Sequence, residues 1–248
     1  MKMQLIRNAT LRLTYAGHTF VIDPCLAPKH SLPYYAGNSA NPLVELSVSR
    51  HAVIRGIEMV VVSHLHTDHF DQLAQESLSK DTMILCQPGN TVRIREMGFL
   101  EVIPVTTKVC WNTITIRRTP GRHGSSETVL SEMGEVSGFV FEAENEPTVY
   151  WAGDTIWYDE IKKNISQWRP DIIITHSGGA VWGENELIPY FCAKVGGSYS
   201  VMQTGGISNR RTRPFWRKRA NIWYHQKTAL DLAKAKELSD DRQFWPDR

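Results

Sequence analysis

The chain has 248 residues, of which 42% are hydrophobic and 22% are charged, and its formal net charge is +2. These values are typical of a globular protein with one large domain or two small ones. No apolar stretch approaches the about 20 residues that a membrane-spanning helix needs, which excludes an integral membrane protein of the helical type. The first residues also lack the apolar core and cleavage site of a signal peptide, so we expect a cytoplasmic protein.

The four cysteines are scattered along the chain, at Cys25, Cys86, Cys110 and Cys192. None of them shows the CxxC spacing of a zinc ribbon or a redox pair. We therefore expect buried free thiols rather than disulfides.

The first half of the chain is typical of short strands and helices in alternation. Alternating residues at 9–15 and the apolar run 19–22 predict a β-hairpin around Ala16 and Gly17. Residues 24–50, rich in Pro, Ser, Asn and Tyr, predict a long surface loop of the kind that is often functional. Further strands are predicted at 58–62, 82–86, 102–105 and 113–117, and helices at 71–79 and 90–97.

The second half continues with a predicted hairpin over 137–143 and 148–151, a helix over 156–168 and a strand over 171–175. Hairpins followed by β-α-β units predict two packed sheets with helices outside them. We interpret 1–248 as a single domain with an atypical C-terminal segment.

A cluster of metal-binding side chains directly follows the apolar run 59–62. His64, His66, Asp68 and His69 fall within six residues. A strand that ends in such a cluster delivers several nitrogen and oxygen ligands to one point, and these ligands suit zinc, manganese or iron. A histidine-rich surface loop is the alternative interpretation, but the order His-x-His-x-Asp-His favours a metallohydrolase.

Two later loops offer further ligands for such a site. His123 lies between two glycines after a predicted strand, and Asp154 follows another strand in Gly153-Asp154-Thr155. A catalytic zinc ion usually takes three protein ligands and keeps one position for water, so the cluster needs partners. Taken alone, the histidine would be a solvated loop residue and the aspartate a helix N-cap.

Together these motifs resemble the metallo-β-lactamase superfamily, and more closely its ascorbate-6-phosphate lactonase-like branch. The similarity covers roughly residues 5–188, with supporting stretches at 20–24, 121–124, 136–139 and 151–157. The resemblance implies a four-layer αββα sandwich with metals at one edge. It also implies a metal-dependent hydrolase that acts on a small lactone, ester or phosphorylated sugar-like substrate.

The resemblance also implies a role for each candidate residue around two divalent ions, Zn or Mn. The first ion would be held by His64, His66 and His123, the second by Asp68 and His69, with Asp154 bridging both. Two such ions activate a shared water and polarise the substrate, and Asp68 could accept the proton of that water. Asp23 is a candidate to orient a ligand imidazole, although a plain turn before Pro24 is equally open. Arg122 could meet an anionic group of the substrate.

One family feature is missing from the sequence. The second metal normally takes a last histidine that we would expect at about 200–215, where this chain has none. His176 and His225 are the histidines that follow His123. His176, at the end of a predicted strand, is a candidate substitute ligand, whereas His225 is interpreted as a surface residue. The completeness of the second metal site therefore stays open.

The composition changes at about Pro189, and residues 206–248 are strongly basic. They contain eleven Lys/Arg and five Asp/Glu, a net charge of +6, so the first 205 residues carry −4. This segment could be a divergent lid, a nucleic-acid-binding tail that uses Trp216 and Trp223, or the product of a reading-frame slip, which we favour. A merely solvated charged end is the commonest fate of such runs, and nucleic acid is the less favoured partner.

Two alternatives to a lactonase-like enzyme stay open. The first is a phosphodiesterase of the same fold. The second is a weakly active or inactive protein that binds metal, with an impaired second site. The sequence determines neither the natural substrate nor the oligomeric state.

Overall fold

The computed structural model describes residues 1–34 and 40–176, together with the backbone of five later strands. The strands are β1 (Lys2–Arg7), β2 (Thr10–Tyr15), β3 (His18–Ile22), β4 (Met59–Val62), β5 (Met83–Cys86), β6 (Val102–Pro104), β7 (Lys108–Trp111), β8 (Ile114–Pro120), β9 (Ser137–Glu142), β10 (Val149–Trp151), β11 (Ile172–His176), β12 (Ala180–Trp182), β13 (Glu186–Ile188), β14 (Ser200–Thr204), β15 (Asn221–Tyr224) and β16 (Ala229–Asp231). The helices are α1 (Arg50–Ile54), α2 (Gln72–Ser77), α3 (Thr91–Glu96), α4 (Glu127–Met133) and α5 (Asp159–Trp168), with one 3-10 turn at Pro88–Asn90.

These strands form two seven-stranded sheets and one separate hairpin. The first sheet has the order β16-β1-β2-β3-β4-β5-β6, and the second has the order β15-β14-β11-β10-β9-β8-β7. Within the part of the chain that the structure describes, strands β12 and β13 form a separate antiparallel pair. Each large sheet combines antiparallel hairpins with parallel neighbours, as in β3 beside β4 and β10 beside β11.

The main hydrophobic core lies between the two sheets. Alternate residues of β2 and β3 point into it, including Leu11, Leu13 and Phe20, and meet Phe141 and Trp151 of the second sheet. Burial of this apolar surface is the principal force that holds the sheets face to face.

Helices cover the outer face of each sheet. Strand β4 is buried along its whole length, because Val61 faces the other sheet while Val60 and Val62 pack in a second cluster with Ala74 of α2 and Ile94 of α3. On the far side, Ile161 and Ile165 of α5 pack against the second sheet. The molecule therefore has the predicted four αββα layers. A strand covered on both faces must be apolar throughout, which explains the uninterrupted run 59–62.

Several predicted boundaries changed. The structure adds β1, β7, α1, α4 and the later strands β12 to β16 to the predicted elements, and α5 begins at Asp159 instead of residue 156. The later start of α5 follows from a contact between two loops. The Ile156 N–H donates to the Arg122 carbonyl oxygen, and Tyr158 occupies the N-cap position. A pairing between distant loops leaves no periodic signal in the sequence.

The long segment after β3 is anchored by a buried arginine. The Arg7 guanidinium donates to the carbonyl oxygens of Cys25, Ala27 and Val44. The Asp71 carboxylate accepts from the backbone N–H of Ala27 and from that of the helix α2 residue Ala74. These contacts fix the segment beside the edge of the sandwich where the histidine cluster lies.

The cysteines and the helices give two simple results. Cys25 and Cys86 are free and buried, as expected, whereas Cys110 is free but exposed on the edge strand β7; Cys192 lies outside the described residues. Within the described parts of the chain, no helix has the combined length and apolar character that crossing a membrane requires.

Candidate metal centre

The candidate site is formed where strands of both sheets end at the same edge. Asp23 follows β3, and His64 follows the parallel neighbour β4. In the second sheet, Asp154 follows β10 and His176 is the last residue of the parallel β11. Strand β8 runs in the same direction as β10, because β9 lies antiparallel to both, so His123 reaches the same edge.

Five of the six predicted metal-ligand side chains meet at this edge. One group of ligand atoms joins His64, His66 and His123, and a second joins His64, His69 and Asp154, with all atoms of a group within 4.8 Å of one another. His64 belongs to both groups, so the two centres are adjacent. Among the described residues, Asp68 joins neither group.

A buried network fixes which nitrogen His64 and His69 present. The Asp23 carboxylate can only accept, so it receives the Ser63 hydroxyl at 2.6 Å, the Ser63 N–H at 2.7 Å and His69 Nδ1–H at 2.9 Å. The Ser63 hydroxyl has then used its proton, so the contact of 3.0 Å to His64 is donated by Nδ1–H. Both histidines therefore turn Nε2 towards the centre.

His66 is held in the opposite tautomer. Its Nε2 lies 3.0 Å from the carbonyl oxygen of Met133, the last residue of α4. A carbonyl oxygen only accepts, so Nε2 carries the proton, and Nδ1 is the nitrogen through which His66 could bind a metal ion. Helix α4 thus determines the tautomer of this histidine.

Asp154 stands between the two histidine groups. Its Oδ2 lies 3.2 Å from His69 Nε2, 3.2 Å from His123 Nε2 and 4.0 Å from His64 Nε2. Its Oδ1 accepts from His176 Nδ1 at 2.5 Å. The preceding Gly153 has φ of +69°, and a Cβ there would collide with the Ser137 carbonyl oxygen, so only glycine permits this turn.

Burial and neighbouring charges together shift the pKa of four side chains in the site. Burial, and next the charge of His69, holds the pKa of His64 well below its ordinary value, and burial with His123 also lowers the pKa of His66. Burial opposes the charged form of His69, but the Asp154 and Asp23 carboxylates raise its pKa well above the ordinary value. Burial likewise opposes ionisation of Asp154, yet His69 and then His176 keep its pKa well below the usual range.

These residues fit a divalent metal ion. Buried polar atoms are normally hydrogen-bonded, yet several ring nitrogens here have no hydrogen-bond partner among the described residues. They are His64 Nε2, His123 Nδ1 and His176 Nε2. Neutral imidazoles with free lone pairs, next to an ionised carboxylate, are the ligands that zinc and similar ions take.

The remaining predicted residues lie around this centre. Asp23 accepts a hydrogen bond from His69, a candidate ligand, and this is the contact predicted for a residue that orients an imidazole. The half-buried Arg122 places its Cζ 5.6 Å from the centre of the Tyr158 ring. His176 contacts Asp154 and packs edge-on against Trp151, and it belongs to neither ligand group of the described residues. His225 and most of the basic segment 206–248 lie outside the described residues.

Sequence reasoning missed three contributors to this site. Ser63 immediately precedes the cluster, and that adjacency was the available signal. The Met133 carbonyl and the Asn41 side chain, which donates to Asp68 at 3.3 Å, come from distant segments. Their positions depend on tertiary packing, and neither stands in a recognisable motif.

The fold and the site together define an αββα protein with a histidine and aspartate centre at one edge of its sandwich. A family model described as the β-lactamase superfamily domain matches residues 18–206. The chain therefore belongs to the metallo-β-lactamase superfamily.

Individual relatives agree with this assignment. The UPF0173 protein YddR of Bacillus subtilis is 36% identical over 183 residues, which cover 72% of each chain. A crystal structure of a possible metal-dependent hydrolase from Veillonella parvula has a TM-score of 0.75 at 30% identity, covering 82% of this chain and 84% of its own. The isothiocyanate hydrolase from Delia radicum gut bacteria has a TM-score of 0.72 at 31% identity, with the same coverage. The lactonase-like branch stays a prediction.

Proposed function

We propose that this protein is a metal-dependent hydrolase that binds two divalent ions, zinc or manganese, and acts on a small molecule. The observation that carries the proposal is the pair of adjacent ligand groups that share His64, with buried ring nitrogens that have no hydrogen-bond partner among the described residues. The metal-dependent hydrolase names of similar proteins support the same activity.

His64, His66 and His123 would hold the first ion, and His69 and Asp154 the second, with Oδ2 of Asp154 facing both. When bound, such ions lower the pKa of a water molecule and polarise the substrate oxygen. The protein contributes the geometry. Asp23 and Ser63 keep His64 and His69 in the tautomer that presents Nε2, and Asp68 would accept the proton of the attacking water.

For the substrate we favour an electrophilic carbon in a small lactone, ester or phosphorylated sugar derivative. Isothiocyanate is a second candidate, because an isothiocyanate hydrolase shares 31% identity and a TM-score of 0.72 with this chain. Its reactive centre is also an electrophilic carbon. A phosphodiester is a third candidate, since two adjacent ions suit phosphoryl transfer as well.

Metal stoichiometry tests the proposal first. We expect about two ions per chain by elemental analysis after loading with Zn²⁺ or Mn²⁺, and hydrolysis of at least one substrate in a panel of lactones, esters, isothiocyanates and phosphodiesters. One ion with weak turnover would instead indicate a second site impaired by the missing histidine. A loaded protein without any turnover on this panel would contradict the hydrolase assignment.

Arg122 offers a test of substrate charge. We expect Arg122→Ala to raise KM for phosphorylated substrates about tenfold, the value of one charge-assisted hydrogen bond, and to leave KM for neutral substrates nearly unchanged. Arg93→Ala, which removes an exposed arginine of α3, is the matched control. Equal changes for both substrate classes would reject a role of Arg122 in binding anionic groups.

A further inference from the structure

Asn41 links the long segment after β3 to the carboxylate of Asp68. Its Nδ2 donates to Asp68 Oδ2 at 3.3 Å, and its Oδ1 accepts from Asn8 Nδ2 at 3.1 Å. Asn8 belongs to the turn between β1 and β2, and Asn41 to the segment that Arg7 anchors. Three segments that are distant in sequence therefore meet at one carboxylate.

The direction of this chain of hydrogen bonds is determined by the carboxylate. An ionised carboxylate only accepts, so the amide of Asn41 must turn its NH₂ group towards Asp68. Its oxygen then faces Asn8, which must donate. Asn8 has φ of +48°, a left-handed conformation that asparagine tolerates well. This chain of hydrogen bonds from Asn8 through Asn41 to Asp68, the relay, therefore has a single consistent orientation.

The same contact determines which oxygen of Asp68 stays without a hydrogen bond among the described residues. Oδ2 is held by Asn41, whereas Oδ1 is buried and has no hydrogen-bond partner among the described residues. Asp68 lies two residues after His66 and directly before His69, and among the described residues it joins neither group of ligand atoms. A carboxylate with one oxygen held and the other unpaired offers that second oxygen to the centre.

We propose that Asn41 is a positioning residue that holds the Asp68 carboxylate by Oδ2 and leaves Oδ1 available to the centre, with Asn8 fixing the Asn41 amide. This inference rests on the proposed hydrolase function. The backbone of Asn41 pairs with Leu32 through two hydrogen bonds of 2.7 and 2.9 Å. Replacing the side chain leaves those bonds intact, so the segment should keep its course.

A double-mutant cycle tests the proposal. We expect Asn41→Ala to lower kcat about tenfold with KM changed less than about twofold, as for residues that orient a reacting group. In an Asp68→Ala background the same substitution should change kcat by less than about twofold, because Asn41 acts through Asp68. Asn8→Asp, which keeps the left-handed turn but cannot donate, should lower kcat in the same direction by a smaller factor.

The control is Gln72→Ala. It removes an exposed hydrogen bond of the same chemical type, from the Gln72 amide to the Glu76 carboxylate on α2, and should leave kcat unchanged. A tenfold loss of kcat from Asn41→Ala that persists in the Asp68→Ala background would overturn the proposal. An Asn41→Ala variant with the kcat of an active wild type would overturn it as well.

A second readout keeps the proposal separate from the hydrolase assignment. The same cycle is measured on the metal-free protein by urea unfolding, where we expect a non-zero coupling between Asn41 and Asp68 in the free energy of unfolding. If the wild type hydrolyses no substrate, the proposed function fails, and the inference fails with it as a statement about catalysis. If the wild type is active but Asn41 and Asp68 show no coupling, the relay is overturned and the hydrolase assignment stands.

Discussion

Asp154→Asn is expected to lower kcat/KM at least about 100-fold, because even residues that only support metal ligands cost 10–100-fold. The carboxylate oxygen Oδ2 lies 3.2 Å from both His69 Nε2 and His123 Nε2 and would face both ions. An amide keeps the shape but removes the negative charge. Elemental analysis should show about one ion per chain under loading conditions that give about two in the wild type, since the second ion loses its proposed Asp154 ligand while His64, His66 and His123 still hold the first.

The control for this variant is Asp159→Asn. Asp159 is an exposed residue of the first turn of α5, five positions along the chain, whose surface contact to Lys162 is worth little. It should retain full metal content and activity. If Asp154→Asn bound metal as the wild type does, Asp154 would not be a ligand, and the assignment of the second group of ligands would be wrong.

Asp23→Asn is expected to weaken metal binding at the second group about 10–100-fold. The Asp23 carboxylate accepts two hydrogen bonds from Ser63 and one from His69, and it is completely buried. Asparagine tolerates the φ of +46° at this position, but its NH₂ group would face donors. We also expect a loss of about 1–3 kcal/mol in the free energy of unfolding, the cost of leaving a buried donor unpaired.

Thr10→Val separates these two effects. The Thr10 hydroxyl donates to the Asp23 carbonyl and accepts from the Cys25 N–H, so it supports the same turn without touching the carboxylate. This variant should lower the stability of the protein but leave metal affinity nearly unchanged. Titration with Mn²⁺ and urea unfolding measure the two quantities. Equal loss of metal affinity in both variants would mean that Asp23 acts only through stability.

The fold was largely predictable because its signals are local. The hairpin of β2 and β3, the buried strand β4 and the outer helices each follow from hydrophobic periodicity. The same is true of the ligand types, since His64, His66 and His69 follow β4 in a single motif. Strands β1 and β7 and helices α1 and α4 were among the elements missed, because such short elements carry weak periodicity.

Some of the predicted site residues lie in the two groups of ligand atoms, and others lie outside them. His123 and Asp154, each taken from a loop that would be unremarkable alone, lie beside the histidine cluster. Asp68, predicted as a ligand of the second ion, stands outside both groups within the described residues and contacts Asn41 instead. His176 contacts Asp154 through Nδ1, and its use as a substitute ligand stays a prediction.

The sequence by itself determined the residue types of the centre and the strand ends that carry them, because both are written in contiguous motifs and in alternation over a few residues. Only the tertiary structure decided which nitrogen each histidine presents. That choice depends on hydrogen-bond partners far along the chain: Asp23 lies 46 residues from His69, and the Met133 carbonyl lies 67 residues from His66. A tautomer is set by the partner that packing supplies, and packing brings those partners together only when the two sheets close.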